Sequence, residues 1–445
     1  MEKEKKLNIG LFIDTYYPMI DGVISVVDNY AKRLVKYANV TVFTIAPRDK
    51  KYKDNFPYKI VRSQKLDIPA LDYDLAMPGL DSKFQKELKN SHLDIVHIHS
   101  PFSIGKIGLN YAKKCKIPCV ATNHSQFKQD FFKATKSPAL TDMLLMGIVS
   151  VFNGCDENWS VNEMTAELFH DYGLKKMPIV MPNGTDFYAK DYDQYDIDIN
   201  EKYGFDEQDK VLMFVGRMVD VKNIPFLIDS FALLHQKDPS FKLFLVGNGT
   251  RTEAYKKKVA SLGIENNVVF AGKVADKKIL GSMYKRADLF VFPSFYDTDG
   301  IVKKEAACFK TPSLVIEKSF ASSNIQDNVN GYISKNSLQE FCDRILQIFK
   351  DKKTYQQVCE NAQKTVYINW DDIIERVLKR YNFLIERKKA RNLAIKKSSE
   401  YIKTIRAVKI QQRKKHQSDL KKQTNVIKNA AKYPKTLKNV RKNQQ

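Results

Sequence analysis

Pro293-Ser-Phe-Tyr-Asp-Thr-Asp-Gly-Ile-Val-Lys-Lys-Glu-Ala-Ala-Cys-Phe-Lys-Thr-Pro312 follows directly on an apolar run, Leu289-Phe290-Val291-Phe292. Four consecutive apolar residues read as a parallel strand buried on both faces. Gly300 permits backbone conformations that other residues resist. Helix-compatible residues fill Ile301–Phe309, and Thr311-Pro312 stops them, because proline disfavours helix in the residue before it. The unit is strand, polar loop, helix start. Free N–H groups at a helix start favour an anion, and parallel sheets bind ligands at the carboxyl ends of their strands.

The same rhythm runs through the chain. Strand-like runs at Asn8–Asp14, Val40–Ala46, Ile95–Ser100, Cys119–His124 and Ile179–Pro182 alternate with helix-like stretches such as Val23–Tyr37 and Ile104–Lys114. A second series begins at Val211–Gly216 and ends near Leu314–Ile316. Alternation of this kind predicts parallel sheets covered by helices on both faces, hence an α/β chain of two doubly wound, Rossmann-like domains. Residues 1–187 form the first domain and 204–365 the second. The polar, tyrosine-rich 188–203 reads as a linker, and 366–385 as a helix. At 445 residues, two domains plus extras is the natural division.

Composition narrows the class. Six cysteines without Cys-x-x-Cys or zinc spacing predict reduced thiols in a cytoplasmic protein. The start, Met-Glu-Lys-Glu-Lys-Lys, lacks the apolar core of a signal peptide. The longest apolar run, Met143–Phe152, is too short to span a bilayer. The net charge of +23 is concentrated in 386–445, where 20 Lys or Arg face three Asp or Glu, leaving only +6 for the remainder.

Asp297 and Glu305 lie eight residues apart, one in the loop and one about a turn into the helix, so both can face one pocket. A sugar nucleotide needs such acceptors for its hydroxyls beside N–H groups for its phosphates. Here the chain resembles glycosyltransferase family 4, whose pattern is Glu-x7-Glu leading into Glu-Ala-x-Ala-x-Gly-Thr-Pro. Asp297 stands for the first acid and Lys310 for the late glycine. Gly216-Arg217-Met218 with Lys222-Asn223 resembles the family's Gly-Arg-Leu…Lys-Asn. Asp21-Gly22-Val23 resembles its Gly-Gly-Val loop, and Thr122-Asn123-His124 its Thr-x-His.

The resemblance implies the two-Rossmann GT-B fold, with 366–385 crossing back onto the first domain. It implies retaining transfer of a hexose, glucose favoured, from a nucleotide sugar, UDP favoured. His124 and Asp297 are then the expected catalytic residues. The donor falls to Gly22, Arg217, Lys222, Asp299, Gly300, Ile301, Val302 and Glu305. His99 and Ser103 lie near the sugar or acceptor, while His97, on the same strand face as His99, reads as structural. Arg217 and Lys222 offer the diphosphate its positive charge, so no metal or other cofactor is expected beyond the nucleotide-sugar cosubstrate. Asp297-Thr298-Asp299 spells Asp-x-Asp, which in another glycosyltransferase fold binds a divalent metal; in this context it reads as coincidence.

Phe102-Ser103-Ile104-Gly105 resembles the Phe-Ser-Leu-Gly of diacylglycerol glucosyltransferases, with Pro101 in place of their usual acid. A lipid or glycan acceptor, diacylglycerol among them, follows as the expectation. Phe127–Lys136 interleaves aromatics with lysines and reads either as a membrane-facing surface or as a partly buried helix with snorkelling lysines. The basic tail 386–445 carries a thin apolar stripe and reads either as a solvated, disordered tail or as a partly helical arm on an anionic membrane. The arm places the protein at the inner face of the cell membrane. Two other classes fit less well: a nucleic-acid binder led by its tail, which lacks aromatic interleaving, and an inactive scaffold of the same fold. Nucleic acid is not an expected partner.

Overall fold

The computed structural model describes residues 6–19, 21–49, 51–66 and 75–430; Ile20 of the first loop and the tail beyond Ala430 lie outside the described residues. Two parallel sheets carry the fold. The seven-stranded sheet runs in the order Lys59–Ser63, Asn39–Ile45, Asn8–Phe12, Ile95–Ile98, Cys119–Asn123, Glu157–Ser160, Ile179–Val180. The six-stranded sheet runs Val268–Gly272, Phe241–Val246, Lys210–Val215, Leu289–Phe292, Ser313–Ile316, Tyr332–Ser334. This is the doubly wound pair expected above.

Both sheets reverse their winding direction at one place. In the first, Asn8–Phe12 has the second strand on one side and Ile95–Ile98 on the other. In the second, Lys210–Val215 lies between Phe241–Val246 and Leu289–Phe292. Connections leave such a pair of strands in opposite directions, so a crevice opens beyond their carboxyl ends. Sequence order alone thus places ligand crevices beside Asp14 and His99 in one half, and beside Gly216 and Pro293 in the other.

Side-chain alternation explains the cores. Leu11, Val42 and Val120 bury one face of the first sheet, and Phe12, Phe43, Val96 and Ala121 bury the other. The second sheet has one continuous core centred on Met213, Phe244, Phe290 and Leu314. Residues 188–203, read above as a linker, are folded onto that core: Ile199 is buried in it, and Tyr192 and Tyr195 pack against it.

The helix Trp370–Ala430 begins on the first sheet. Trp370, Ile373, Val377, Tyr381 and Leu384 are buried in its core. The approach is close: a Cβ on Gly184 would lie 2.5 Å from the Trp370 backbone nitrogen. Arg380 reaches Glu157 through Nε at 2.9 Å and Nη2 at 2.5 Å. Residues Met1–Ile385 form one compact unit and Glu386–Gln445 a second. In the second unit, every residue from Leu393 to Asn429 is exposed, including Ile402, Ile405 and Val408. Among the described residues, no helix is long and apolar enough to cross a membrane.

Trp370 is 1% exposed and meets Tyr30 edge-on at 5.9 Å. Trp370→Ala is expected to destabilise the first unit by about 3–5 kcal/mol, the cost of a large aromatic cavity. Chemical denaturation checks it, and an unchanged midpoint would contradict this account of the core.

Candidate active site

Gly300 caps the helix Ile301–Cys308 in a left-handed conformation, φ +64°. A Cβ there would meet the Phe292 ring at 2.9 Å, so only glycine fits. The first turn, Ile301 and Val302 included, thereby opens at the carboxyl end of Leu289–Phe292. Lys222 enters from the neighbouring strand's loop and pairs with Asp297 Oδ1. Asp297 Oδ2 is buried and has no hydrogen-bond partner among the described residues. An ammonium has three donors, and Lys222 uses one here. Arg217, at the end of Lys210–Val215, is exposed. Gly247, φ +132°, lets the next loop approach so closely that a Cβ would lie 1.9 Å from the Gly216 carbonyl.

Glu305, one turn into the helix, accepts from Tyr284 Oη at 2.7 Å. Burial raises its carboxyl above the usual value, opposed by that bond. One carboxylate oxygen remains for a hydroxyl.

Three histidines line the ends of two first-sheet strands. His97 is fully buried, with Nδ1 2.5 Å from Tyr381 Oη and Nε2 2.7 Å from Thr122 Oγ1. Both ring nitrogens are satisfied, which fits a structural residue. His99 Nδ1 lies 3.1 Å from His124 Nε2, and His99 Nε2 is buried without a partner among the described residues. A buried orphan N–H is costlier than a buried orphan acceptor. His99 therefore carries its proton on Nδ1 and donates to His124 Nε2. That assignment leaves the His124 proton on Nδ1, a donor not used by the bond to His99. Burial pushes the His124 imidazole down to about 4, against the opposite pull of Asp299, and pushes His99 well below its usual value.

The loop Pro293–Gly300 is tied across to the first domain. Thr298 Oγ1 donates to the His124 carbonyl at 2.7 Å, and Asn162 Nδ2 donates to the Thr298 carbonyl at 2.5 Å. Gln126 Nε2 donates to the Tyr296 carbonyl at 2.9 Å, and Tyr296 Oη to Asp130 at 2.5 Å. Asp297 and Asp299 do not converge. Asp299, expected among the donor-binding residues, has its two oxygens each 2.7 Å from Lys304 Nζ. Asn183 Nδ2 donates to one of them at 2.9 Å, and Lys304 donates to the Asn183 carbonyl at 2.8 Å. Lys303, fully buried, donates to the Ala321 carbonyl and to Asn324 Oδ1.

On the first-domain side, Asp21 Oδ1 caps the helix Gly22–Leu34 by accepting from Ile24 N at 2.8 Å. A Cβ on Gly22 would meet nothing within 4 Å, so the helix start is open there. Ser103 donates to buried Asp14 at 2.9 Å, and Asp14 also accepts from Ser100 and from the Ile104 N–H. Asp14 thus organises the start of the helix Ser103–Cys115, a role its sequence position did not announce. Beyond Tyr296 lies an open groove of about 510 Å³, between Gln129 and Lys133 on one side and Val221, Phe226, Phe295 and Leu338 on the other.

The second domain, residues 196–365, matches the family described as Glycosyl transferases group 1, and residues 20–187 match Glycosyltransferase Family 4. An alpha-monoglucosyldiacylglycerol synthase of Streptococcus pneumoniae is 28% identical over 73% of this chain and 74% of its own length. The enzyme of the same name from Acholeplasma laidlawii is 24% identical over 80% of this chain and 92% of its own. Among solved structures, Anabaena HepE in complex with UDP superposes with a TM-score of 0.68 at 18% identity, covering 84% of this chain and all of that one. Sucrose-phosphate synthase from Thermosynechococcus elongatus gives 0.68 at 19% identity over 86% of this chain. These likenesses establish the GT-B fold.

Lys303 makes the site's stability depend on pH. Burial lowers its ammonium to about 7, against roughly 10.4 in an unfolded chain. Between those values the unfolded chain binds more protons, so the contribution of Lys303 to stability rises with pH. Below about 7 the full penalty of the buried charge remains. Lys303→Met is expected to flatten the rise in melting temperature between about pH 7 and about pH 10. An undiminished slope in the variant would contradict it.

Proposed function

The chain belongs to the glycosyltransferases, its first domain to Family 4 and its second to group 1, and from that premise we propose a retaining hexosyltransferase that acts on a lipid acceptor. The donor is a nucleotide sugar, as for GT-B glycosyltransferases at large. UDP-glucose is the preferred reading, supported by UDP in HepE and by the monoglucosyldiacylglycerol synthases among the relatives.

The observation that carries this reading is the Lys222–Asp297 pair at the crevice. Among the described residues it leaves one buried carboxylate oxygen without a partner and two ammonium donors unused, beside an open helix start at Gly300. Lys222 and Arg217 take the diphosphate and stabilise it as it leaves, where negative charge develops. The N–H groups of Gly300–Val302, and those at Gly22 across the cleft, add to that field. Asp297 holds a sugar hydroxyl and Glu305 the ribose. Neutral His124 orients the sugar and the charge developing on it; His99 keeps its tautomer. The acceptor hydroxyl attacks from the face that the diphosphate leaves. A departing phosphate oxygen takes the hydroxyl proton, so configuration is retained without an enzyme nucleophile. Ser103 supports the acceptor side through Asp14.

A lipid acceptor fits the outer surface. The 510 Å³ groove ends on the helix Phe127–Thr135, whose Phe132 is exposed, and the next helix exposes Leu140, Met143 and Met146. The exposed basic helix of the second unit suits an anionic leaflet, where each Lys or Arg near the surface contributes on the order of 1 kcal/mol. The enzyme is then peripheral at the inner face of the cell membrane.

Lys222→Ala is expected to lower kcat/KM for transfer by about 100-fold or more, and Glu305→Ala to raise the donor KM, both with unchanged circular dichroism. Rates equal to the parent at saturating and subsaturating donor would refute the assignment. A chain ending at Ile385 is expected to leave anionic vesicles in a sedimentation assay while still hydrolysing donor in solution. Equal vesicle binding by both chains, at low and physiological salt, would remove the tail from the account.

A further inference from the structure

Two cysteines 36 residues apart in sequence meet in the fold. Cys119 opens the strand Cys119–Asn123 and is buried. Cys155, half-buried, lies on the turn between the helix Pro138–Asn153 and the strand Glu157–Ser160. Both are thiols rather than a disulfide. The Cys119 thiol donates to Cys155 Sγ at 3.6 Å, and the Cys155 thiol donates to the Val151 carbonyl at 3.5 Å.

Their backbones have the spacing a disulfide needs. The Asp156 N–H donates to the Cys119 carbonyl at 2.8 Å, and Val120 pairs with Glu157 in the sheet. Cys155 therefore lies one residue before the position facing Cys119. Neighbouring strands about 4.8 Å apart, with a rise of about 3.3 Å per residue, put the two Cα atoms roughly 6 Å apart. Disulfides span Cα separations of about 4.4–6.8 Å. The turn at Gly154–Asp156 lets the sulfurs close the remaining gap.

We propose that Cys119 and Cys155 form a reversible, peroxide-responsive disulfide that ties down the segment carrying His124. The pair sits at the end of its strand away from His124, and its chemistry is independent of the transferase reading. Cys155 reacts first. It is the less buried sulfur, and it accepts the Cys119 S–H. Lys113 stands beside it: a Cβ on the adjoining Gly154 would lie 3.0 Å from Lys113 Nζ. A donor and a nearby cation both favour the thiolate. The Asp156 carboxylate is turned onto the Cys119 N–H at 3.0 Å. By contrast, burial pushes the Cys308 thiol up to about 12 and the Cys359 thiol up to about 11.

The Cys155 thiolate attacks one oxygen of hydrogen peroxide, giving a sulfenic acid and hydroxide, which takes a proton to become water. The Cys119 sulfur then attacks the sulfenic sulfur. The S–S bond forms as hydroxide leaves, and the Cys119 proton makes it a second water. Two thiols are oxidised, and one peroxide is reduced to two waters. The closed loop contains the His124 carbonyl, Gln126 and Asp130, three groups that hold the Pro293–Gly300 loop. Closing it restricts the unfolded chain and so stabilises the folded one.

The test exposes the native full chain to hydrogen peroxide, blocks remaining thiols with N-ethylmaleimide, and reads the peptide map and melting temperature. A cross-linked peptide joining Cys119 to Cys155 is expected, with a melting temperature raised by about 5 °C or more. Dithiothreitol is expected to reverse both. Cys115→Ser keeps the cross-link, and Cys155→Ser loses it. Because the parent chain carries the main readout, a variant that misfolds cannot imitate the result. Both thiols still blocked singly after peroxide, or a cross-link that forms only in urea, overturns the proposal. A cross-link that leaves the melting temperature unchanged overturns it as well.

Discussion

The hydrogen bonds that fasten the Pro293–Gly300 loop to the first domain govern the rest of the architecture. Two sheets of the same winding each open a crevice at their switch point, and neither crevice is enough alone. Thr298 on His124, Asn162 on Thr298 and Gln126 on Tyr296 bring the two crevices to one place. The bonds run from side chains to backbone carbonyls, and their narrow distance and angle ranges hold the loop against the first domain. Because Asp297 and Gly300 lie on that loop, the carboxylate and the helix start move with it. Crossing of the helix from Trp370 back to the first sheet closes the chain on the same geometry.

Two of the cleft's cations are each neutralised by a carboxylate rather than left as one field. Lys222 faces Asp297, Lys304 faces Asp299, and Glu305 rests on the Tyr284 hydroxyl. A buried pair is weak support for stability but costly to break, about 3–5 kcal/mol when one partner is removed. A dianionic ligand entering such a site takes cations from existing partners, which makes its affinity depend on how readily Lys222 is shared. Arg217, exposed at its strand end, has no ion-pair partner among the described residues.

Most strands were legible from the sequence because they follow from apolar runs and from the order of those runs, whereas Lys59–Ser63, Glu157–Ser160 and Tyr332–Ser334, short and interrupted by polar residues, were not. Loops at Asp21-Gly22, Gly216-Arg217 and Asp297–Gly300 were legible for the same reason: they sit where such strands end. Lys303 and Lys304 were not. Two adjacent lysines at a helix start give no local sign of burial, and only the fold shows their partners: Asp299 and the Asn183 carbonyl for Lys304, the Ala321 carbonyl and Asn324 for Lys303. Ser103 drew notice through its motif, but its partner Asp14 lies 89 residues away and gave no local sign. Residues 188–203 looked like a linker because tyrosines and acids dominate them. The Tyr192 and Tyr195 rings lean on Phe309, Tyr195 4.8 Å from it, and Tyr203 packs on Phe244, so a polar-looking segment is folded by its aromatic faces.

The central claim is that this cleft transfers a hexose from a nucleotide sugar with retention at the anomeric carbon. The most direct measurement supplies the chain with UDP-glucose and a diacylglycerol-containing vesicle, then compares UDP released with glycolipid formed and reads the anomeric proton coupling of the product. The account predicts equal amounts of both and an α-linked glucose. A β-linked product, or no consumption of any donor across a panel of nucleotide sugars, would contradict it.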